Sequence, residues 1–256
     1  GILFKGLGFL LKFRKHNIKV HQFVNDVEFI GDEKLQKIRF DNKTIETNFA
    51  FIHNGLVPNI NLQLQAGCDY EYCNKKSSID IKVDEFKQSS VNNIFVIGDS
   101  QSIKGVEVAL IEAKIASLKI LYDFNKITEA SLHERLNRYK NELIEVSSIR
   151  DFLNALYLPS KEILQVNNNE TIVCRCEEVK KVDIVKSLKI DSKGLNTIKT
   201  FTRCAMGNCQ GRFCGLSLLE IVAKQTNTNI EELKYLNIRS PIKPVRIEEL
   251  ANLEEI

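Results

Sequence analysis

Five of the chain's seven cysteines fall between residues 174 and 214, and two pairs among them have the spacing of metal ligands. Cys174 and Cys176 stand one residue apart in VCRCEEV. Cys209 and Cys214 enclose four residues in TRCAMGNCQGRFCG, at the predicted start of a helix. Four thiolates brought together from two loops can enclose an iron-sulfur cluster, because sulfur is soft and loses its proton on iron. Backbone N–H groups at helix starts, together with the helix dipole, stabilise the resulting negative charge. Gly207 and Gly211 let the backbone approach sulfur closely, and Arg175, Arg203 and Arg212 flank the cysteines, either offsetting charge or remaining solvated. Structural zinc is also held by four cysteines, but most zinc ribbons carry C-x-x-C where this chain has C-x-C and C-x4-C. The spacing favours a cluster and leaves zinc as the alternative. Cys204, a fifth thiol within the loop, is either a spare ligand or, the favoured reading, a small residue packed under the loop, and Cys68 and Cys73 are read as core or surface thiols.

A second constellation lies in NNIFVIGDSQSIKGVEVALIEAKIA, where an apolar run delivers the chain to Gly98-Asp99, a loop with Gly105, and a helix opening at Val106. Taken alone, Asp99 is as readily a turn cap as a ligand-binding residue. A dinucleotide fold grips pyrophosphate with a G-x-G-x-x-G turn between its first strand and helix. No such turn occurs in this chain, since the glycines near the start follow no strand. The sequence also has no G-x-S-x-G, H-E-x-x-H or Walker loop, which leaves hydrolytic and phosphate-transfer chemistry unsupported. His16, His21, His53 and His133 are too scattered to form a cluster.

These motifs must be positioned by a chain of 256 residues with 43% hydrophobic and 27% charged residues, enough for an ordinary core and two domains. Lys and Arg outnumber Asp and Glu by only 36 to 33, which argues against nucleic acid as a partner. An odd number of crowded cysteines fits metal or redox chemistry better than a disulfide framework. The apolar stretch 1–13 has helical spacing but is interrupted by Lys5 and Lys12. No run approaches the roughly 18 uncharged apolar residues of a membrane span, and the marks of a signal peptide are lacking. The expectation is a protein of a reducing compartment, cytoplasmic, and peripheral to the inner face of the membrane only through partners.

Lys19–Phe29, Leu35–Phe40 and Thr44–His53 alternate as strands do, with Gly31-Asp32 as a turn. A loop at NGLVPN precedes a short helix through Leu62–Ala66, a strand at Ile79–Val83, and a strand at Ile94–Ile97 apolar enough to be covered on both faces. Helices are predicted over Val106–Leu121 and 128–158. The polar spacer Val166–Asn169 marks a boundary. Beyond it come a helix at Lys181–Leu188, a strand-like Thr197–Thr200 and a helix from Gly211 to about Gln225.

In VCRCEEV, IKTFTRCAMGNCQGRFC and RSPIKPVRIEELANL, residues 171–256 resemble the C-terminal module, of bacterioferritin-associated-ferredoxin type, that closes the FAD-containing subunit of multi-subunit amino-acid dehydrogenases. That group includes hydrogen cyanide synthase, opine oxidase and proline or hydroxyproline dehydrogenase large subunits. The resemblance implies a 2Fe-2S cluster on Cys174, Cys176, Cys209 and Cys214; where relatives usually have GMG, this chain has Ala205-Met206-Gly207. Residues 54–121 are similar to the same family's return into its FAD-binding domain. This implies flavin contacts at Gly98, Asp99, Gly105 and Val106, with Asp99 accepting from a ribityl hydroxyl and the helix N-terminus facing the flavin.

The implied fold class is α/β, an incomplete FAD/NAD(P)-binding fold of two dinucleotide units, followed by a small α-rich 2Fe-2S domain. Its parts are residues 1–122 (partial FAD/NAD(P)-binding domain), 123–169 (helical connector), 170–228 (2Fe-2S domain) and 229–256 (tail). The implied function is electron transfer in oxidation of an opine, proline or glycine-like amino acid or amine. A flavin-containing catalytic subunit is the implied partner and a quinone a possible acceptor; no catalytic residue is assigned. The alternative is a zinc- or cluster-stabilised interaction module that transfers nothing. Because the pyrophosphate-gripping turn is expected upstream of Gly1, the 256-residue chain should bind FAD weakly or not at all. Equilibrium dialysis returning tight, stoichiometric FAD would contradict this.

Overall fold

The structure, a computed structural model, describes residues 2–22, 24, 27–147, 152, 155, 157–159, 164–190 and 194–252. The chain divides into two compact units, Gly1–His53 and Asn54–Ile256. The first contains helix α1 (Ile2–Lys15) and an antiparallel sheet of β1 (Glu28–Ile30), β2 (Lys37–Phe40) and β3 (Lys43–Glu46), in that order. In β2 the period of two turns Ile38 and Phe40 inward, and Phe40 is buried. Asp41 and Asn42, both at positive φ, close the β2-β3 hairpin; short-chain Asp and Asn tolerate that backbone region best after glycine. The long strand expected over Lys19–Phe29 pairs, among the described residues, only through its last two positions and Ile30.

The second unit opens with the short helix α2 (Asn61–Gln65) and the hairpin β4 (Tyr70–Cys73) to β5 (Ser78–Ile81). A single 3-10 turn, Gly98–Ser100, leads to α3 (Val106–Asp123), which packs on α4 (Glu129–Ser147) through Ile111, Ile115 and Leu136. The later part of the helix expected over 128–158 lies mostly outside the described residues. A second hairpin, β6 (Ile172–Cys174) and β7 (Val179–Lys180), then runs directly into α5 (Lys181–Ile190), followed by α6 (Leu195–Thr202), α7 (Gly215–Thr226) and α8 (Ile247–Ala251). None of the described helices is long and apolar enough to cross a membrane.

Two expectations are corrected. Thr197–Thr200 is not a strand but the middle of α6. Leu195 and Ile198, three residues apart, share the buried face of that helix, a spacing that a β-propensity reading of Thr and Ile overlooks. Ile94–Ile97 does not form a strand either; its one pairing among the described residues is an isolated antiparallel bridge between Phe95 and Gln88. An apolar run becomes a strand only where a neighbouring strand takes up its backbone groups, and every strand pair among the described residues is antiparallel.

The expected boundary near 165–170 also meets a different packing. One apolar core includes Ile60, Ile79 and Ile81 from the early part of the unit and Ile184, Ile198 and Leu218 from the late part. Polar bonds reinforce the join. The Tyr72 hydroxyl donates to Glu220 (2.9 Å), the Tyr70 hydroxyl accepts from the Tyr235 amide (2.7 Å), and the Asn61 side chain donates to the Gln210 carbonyl (3.1 Å). Burial and Glu220 push the Tyr72 phenol upward. The hairpin β4-β5 therefore belongs physically with the cysteine-bearing helices. Leu218 is fully buried in this shared core, so Leu218→Ala should cost about 2–5 kcal/mol. Urea unfolding followed by circular dichroism should show one lowered midpoint for the whole second unit.

Candidate metal site and the Gly98–Gly105 loop

The two cysteine motifs are carried by different kinds of element. Cys174 ends β6 and pairs with Val179, which puts Arg175, Cys176, Glu177 and Glu178 in the hairpin turn, with Glu178 at positive φ. Cys209 lies in the loop between α6 and α7, and Cys214 is the N-cap residue of α7. The expected helix from Gly211 begins four residues later, at Gly215, with Cys214 as its N-cap and the Gly215 amide bonded to the Gly211 carbonyl (2.7 Å).

Folding joins the motifs crosswise. The sulfurs of Cys174 and Cys214 lie within 4.8 Å of one another, and Cys176 and Cys209 are near enough to bear on one another electrostatically, outside that group. Each pair thus takes one cysteine from each loop. The first pair is buried, whereas Cys176 is exposed and Cys209 half-buried. Cys204 is also drawn in: the sulfurs of Cys174, Cys204 and Cys214 all lie within 4.8 Å of one another. The sequence had left Cys204 as a spare ligand or, the favoured reading, as a small residue packed under the loop.

Backbone amides face the sulfurs. Cys174 interacts with the amides of Ala205 and Glu177, Cys209 with those of Phe213 and Gly211, and Cys214 with that of Ala205 and its own. Burial pushes the Cys174 and Cys209 thiols up. Hydrogen bonds from Cys204 and Cys174, opposed by burial, bring Cys214 down to about 7, while Cys204, donating to Cys214 and buried, is pushed strongly up.

Gly207 is needed where it stands, because a Cβ there would lie 2.2 Å from the Cβ of Cys176. Gly211 is needed for a different reason from the one expected: it sits at φ +80°, and a Cβ would meet Leu236 at 2.6 Å, not a sulfur. Of the three arginines, Arg203 pairs with Glu177 (2.8 Å) and Arg212 donates to the Ile242 carbonyl (2.9 Å), while Arg175 is exposed. Arg203 and Glu177 thereby bridge the two cysteine loops.

The Gly98–Gly105 loop is held from two sides. Gly98 is buried at φ +59°, with Ala109 of α3 2.8 Å from where a Cβ would be. Its amide donates to Glu112 of α3 (2.8 Å). Gly105 is the N-cap of α3 and Val106, its first residue, is 72% exposed, so this helix start faces open space. Asp99 is exposed and accepts from the Lys104 amide (3.3 Å), the geometry of a turn cap. On the other side, Ser102 donates to Asp80 of β5 (2.9 Å), which also pairs with Lys76 (2.6 Å), and Gln101 donates to the Ile81 carbonyl (2.9 Å).

Glu112 and Asp80 are the residues sequence reasoning missed. Glu112 is 1% exposed and meets Lys104 at 2.9 Å and Lys87 at 3.2 Å. A glutamate inside an otherwise apolar helical stripe is the signal that could have found it, since a buried carboxylate must be paired.

With this geometry in view, the chain can be set beside known proteins. Two families match it, the pyridine nucleotide-disulphide oxidoreductases over residues 10–113 and the sarcosine oxidase A3 domain over residues 168–253. Both descriptions are of oxidoreductases. More particularly, an opine oxidase subunit of Rhizobium meliloti is 33% identical over 253 residues, covering 97% of this chain and 48% of the relative. The hydrogen cyanide synthase subunit HcnB of Pseudomonas aeruginosa is 25% identical, over 97% of this chain and 55% of its own length. The chain thus spans about half the length of these curated relatives. The crystal structure of L-proline dehydrogenase from P. horikoshii shares the fold, with a TM-score of 0.75 and 24% identity over 95% of this chain and 48% of that one.

The Glu112 cluster gives a pH-dependent expectation. Burial raises the Glu112 carboxyl, but the bond and charge of Lys104, the Gly98 amide and Lys87 outweigh it, so the net shift is downward. A carboxylate depressed by folding stabilises above its unfolded pKa and loses that contribution as pH falls through the folded value. Glu112→Gln should therefore cost about 1–3 kcal/mol near neutral pH. Thermal unfolding of both proteins should show the gap closing as pH falls below the ordinary glutamate range.

Proposed function

We propose that this chain is part of a flavin-dependent oxidoreductase and that its second unit holds a 2Fe-2S cluster through Cys174, Cys176, Cys209 and Cys214. The observation that carries this reading is the meeting of thiols from both loops, with the Cys174 and Cys214 sulfurs within 4.8 Å of one another and Cys176 and Cys209 near enough to interact. Two pairs of cysteines are what a two-iron cluster takes, two to each iron. The site fits in two further respects: backbone amides face the sulfurs, as a charged sulfur site needs, and Gly207 leaves Cys176 the room that any Cβ would fill.

When bound, such a cluster supplies one-electron carriage beside the two-electron chemistry of FAD. The residues of the chain do the rest. Cys174 and Cys214 anchor the site in the core, and Cys176 brings it to the surface, where a second electron carrier can approach. On the flavin side, Gly98 and Gly105 shape the loop, Asp99 offers a carboxylate to a ribityl hydroxyl, and the open start of α3 at Val106 presents its amides. Asp80 and Glu112 hold that loop rigid and neutralise three lysines around it.

Similarity to opine oxidase, hydrogen cyanide synthase and proline dehydrogenase supports oxidation of a small amino acid or amine as the overall reaction. The names of the first two, as subunits, support a partner chain. We assign that partner the substrate-oxidising flavin, and a quinone or similar acceptor the last electron. Seven free thiols suit the reducing cytoplasm.

The test is the colour of the chain after anaerobic reconstitution with iron and sulfide. The wild type should become brown with about two irons and two sulfides per chain, and Cys209→Ser should lose most of the visible absorbance. A colourless wild type that instead retains zinc through dialysis would overturn the cluster and favour the interaction-module reading.

A further inference from the structure

Cys204 has no role in a site made of four cysteines, yet the structure treats it as a member. Its sulfur lies with those of Cys174 and Cys214 in a group no wider than 4.8 Å, and all three residues are buried. Sulfurs that share one tetrahedral metal stand somewhat under 4 Å apart, as bonds of about 2.3 Å require. The three therefore have the spacing of ligands to a single metal centre, one more than a two-iron cluster needs at each iron.

The backbone around Cys204 is bent to put it there. Arg203 and Ala205 on either side both lie in the left-handed region, at φ 60° and 66°. For Arg203 this is the ordinary end of a helix, α6. For Ala205 it is not, because a residue with a Cβ and no side-chain polar group gains nothing locally from that conformation. The Cys204 amide is meanwhile taken up by the Thr202 hydroxyl (3.1 Å), and Ala205 is itself buried. The turn is thus fixed with its thiol facing the other two.

We propose that Cys204 is a reserve ligand of the inner half of the metal site, able to take the place of Cys174 or Cys214. This rests on the cluster reading above. The exchange is a simple substitution: a thiolate sulfur leaves iron and takes up a proton, and the Cys204 thiol gives up its proton as its sulfur binds. No electron moves. The outer pair, Cys176 and Cys209, has no such neighbour, since the interactions of Cys204 within the group are with Cys214 and Cys174. Loss of an inner ligand is therefore survivable and loss of an outer one is not.

The experiment uses the 256-residue chain reconstituted with iron and sulfide, and reads iron and sulfide content, visible absorbance and the electron paramagnetic resonance of the dithionite-reduced protein. Alanine replaces cysteine so that no serine oxygen substitutes for sulfur. Cys204→Ala should load as the wild type does. Cys174→Ala should keep at least half of the wild-type iron with a resonance shifted from it, whereas Cys174→Ala/Cys204→Ala and Cys209→Ala should each fall at least fivefold. Should Cys174→Ala fail to fold by circular dichroism, Cys214→Ala and its double with Cys204→Ala make the same comparison. A wild type that loads no iron overturns the cluster itself. A wild type that loads, beside an inner single variant as empty as its double, overturns the reserve ligand alone and returns Cys204 to a packing role.

Discussion

Thiols that must ionise are costly to bury, and the second unit is organised around meeting that cost. A buried sulfur anion is tolerated only where N–H groups and other thiols surround it. Here the donors are backbone amides from three places: the hairpin turn after Cys174, the bend at Ala205, and the start of α7. Two features of these loops are ones the chain would not adopt without compensation elsewhere. The left-handed Ala205 and the tight approach of Gly207 to Cys176 hold only because α5, α6 and α7 are pinned by a dry core through Ile184, Ile198 and Leu218.

That core does not stop at the cysteine-bearing helices. Ile79 and Ile81 of the β4-β5 hairpin enter it, and the same short strand carries Asp80 toward the Gly98–Gly105 loop. Ser78–Ile81 is buried at all four positions, so both faces of the strand are in use: one with the core and the other with the loop. A strand of four residues thus stands between the proposed cluster site and the proposed flavin loop. It belongs by packing to the one and by sequence to the other. Where the family matches end and begin, at 113 and 168, is consequently not where the packing divides.

Two buried carboxylates make that arrangement stiff. Asp80 and Glu112 each take a lysine out of solvent and a hydrogen bond from the loop, so the loop cannot move without stranding a charge. One oxygen of Asp80 has no partner of its own, which leaves the cluster around it the less well satisfied of the two.

The sequence by itself marked the residues on which a site could be built and the local form of most elements. The cysteine spacings, the helix after Val106, the helix after Lys181 and the short helix near Leu62 were all legible, since each depends on residues within one or two turns of one another. What it misjudged were segments whose form is set by distant neighbours. Thr197–Thr200 became helix because Leu195 and Ile198 found a core to enter, and Ile94–Ile97 kept only an isolated bridge because a strand is made by its neighbours rather than by its own apolarity. Tertiary structure alone decided which thiols meet. The crosswise pairs, the approach of Cys204, and the closing of Asp80 and Glu112 on the loop join residues from 8 to 40 positions apart. No local pattern encodes such meetings, because they follow from how helices and hairpins pack, and packing answers to the shape of the whole core.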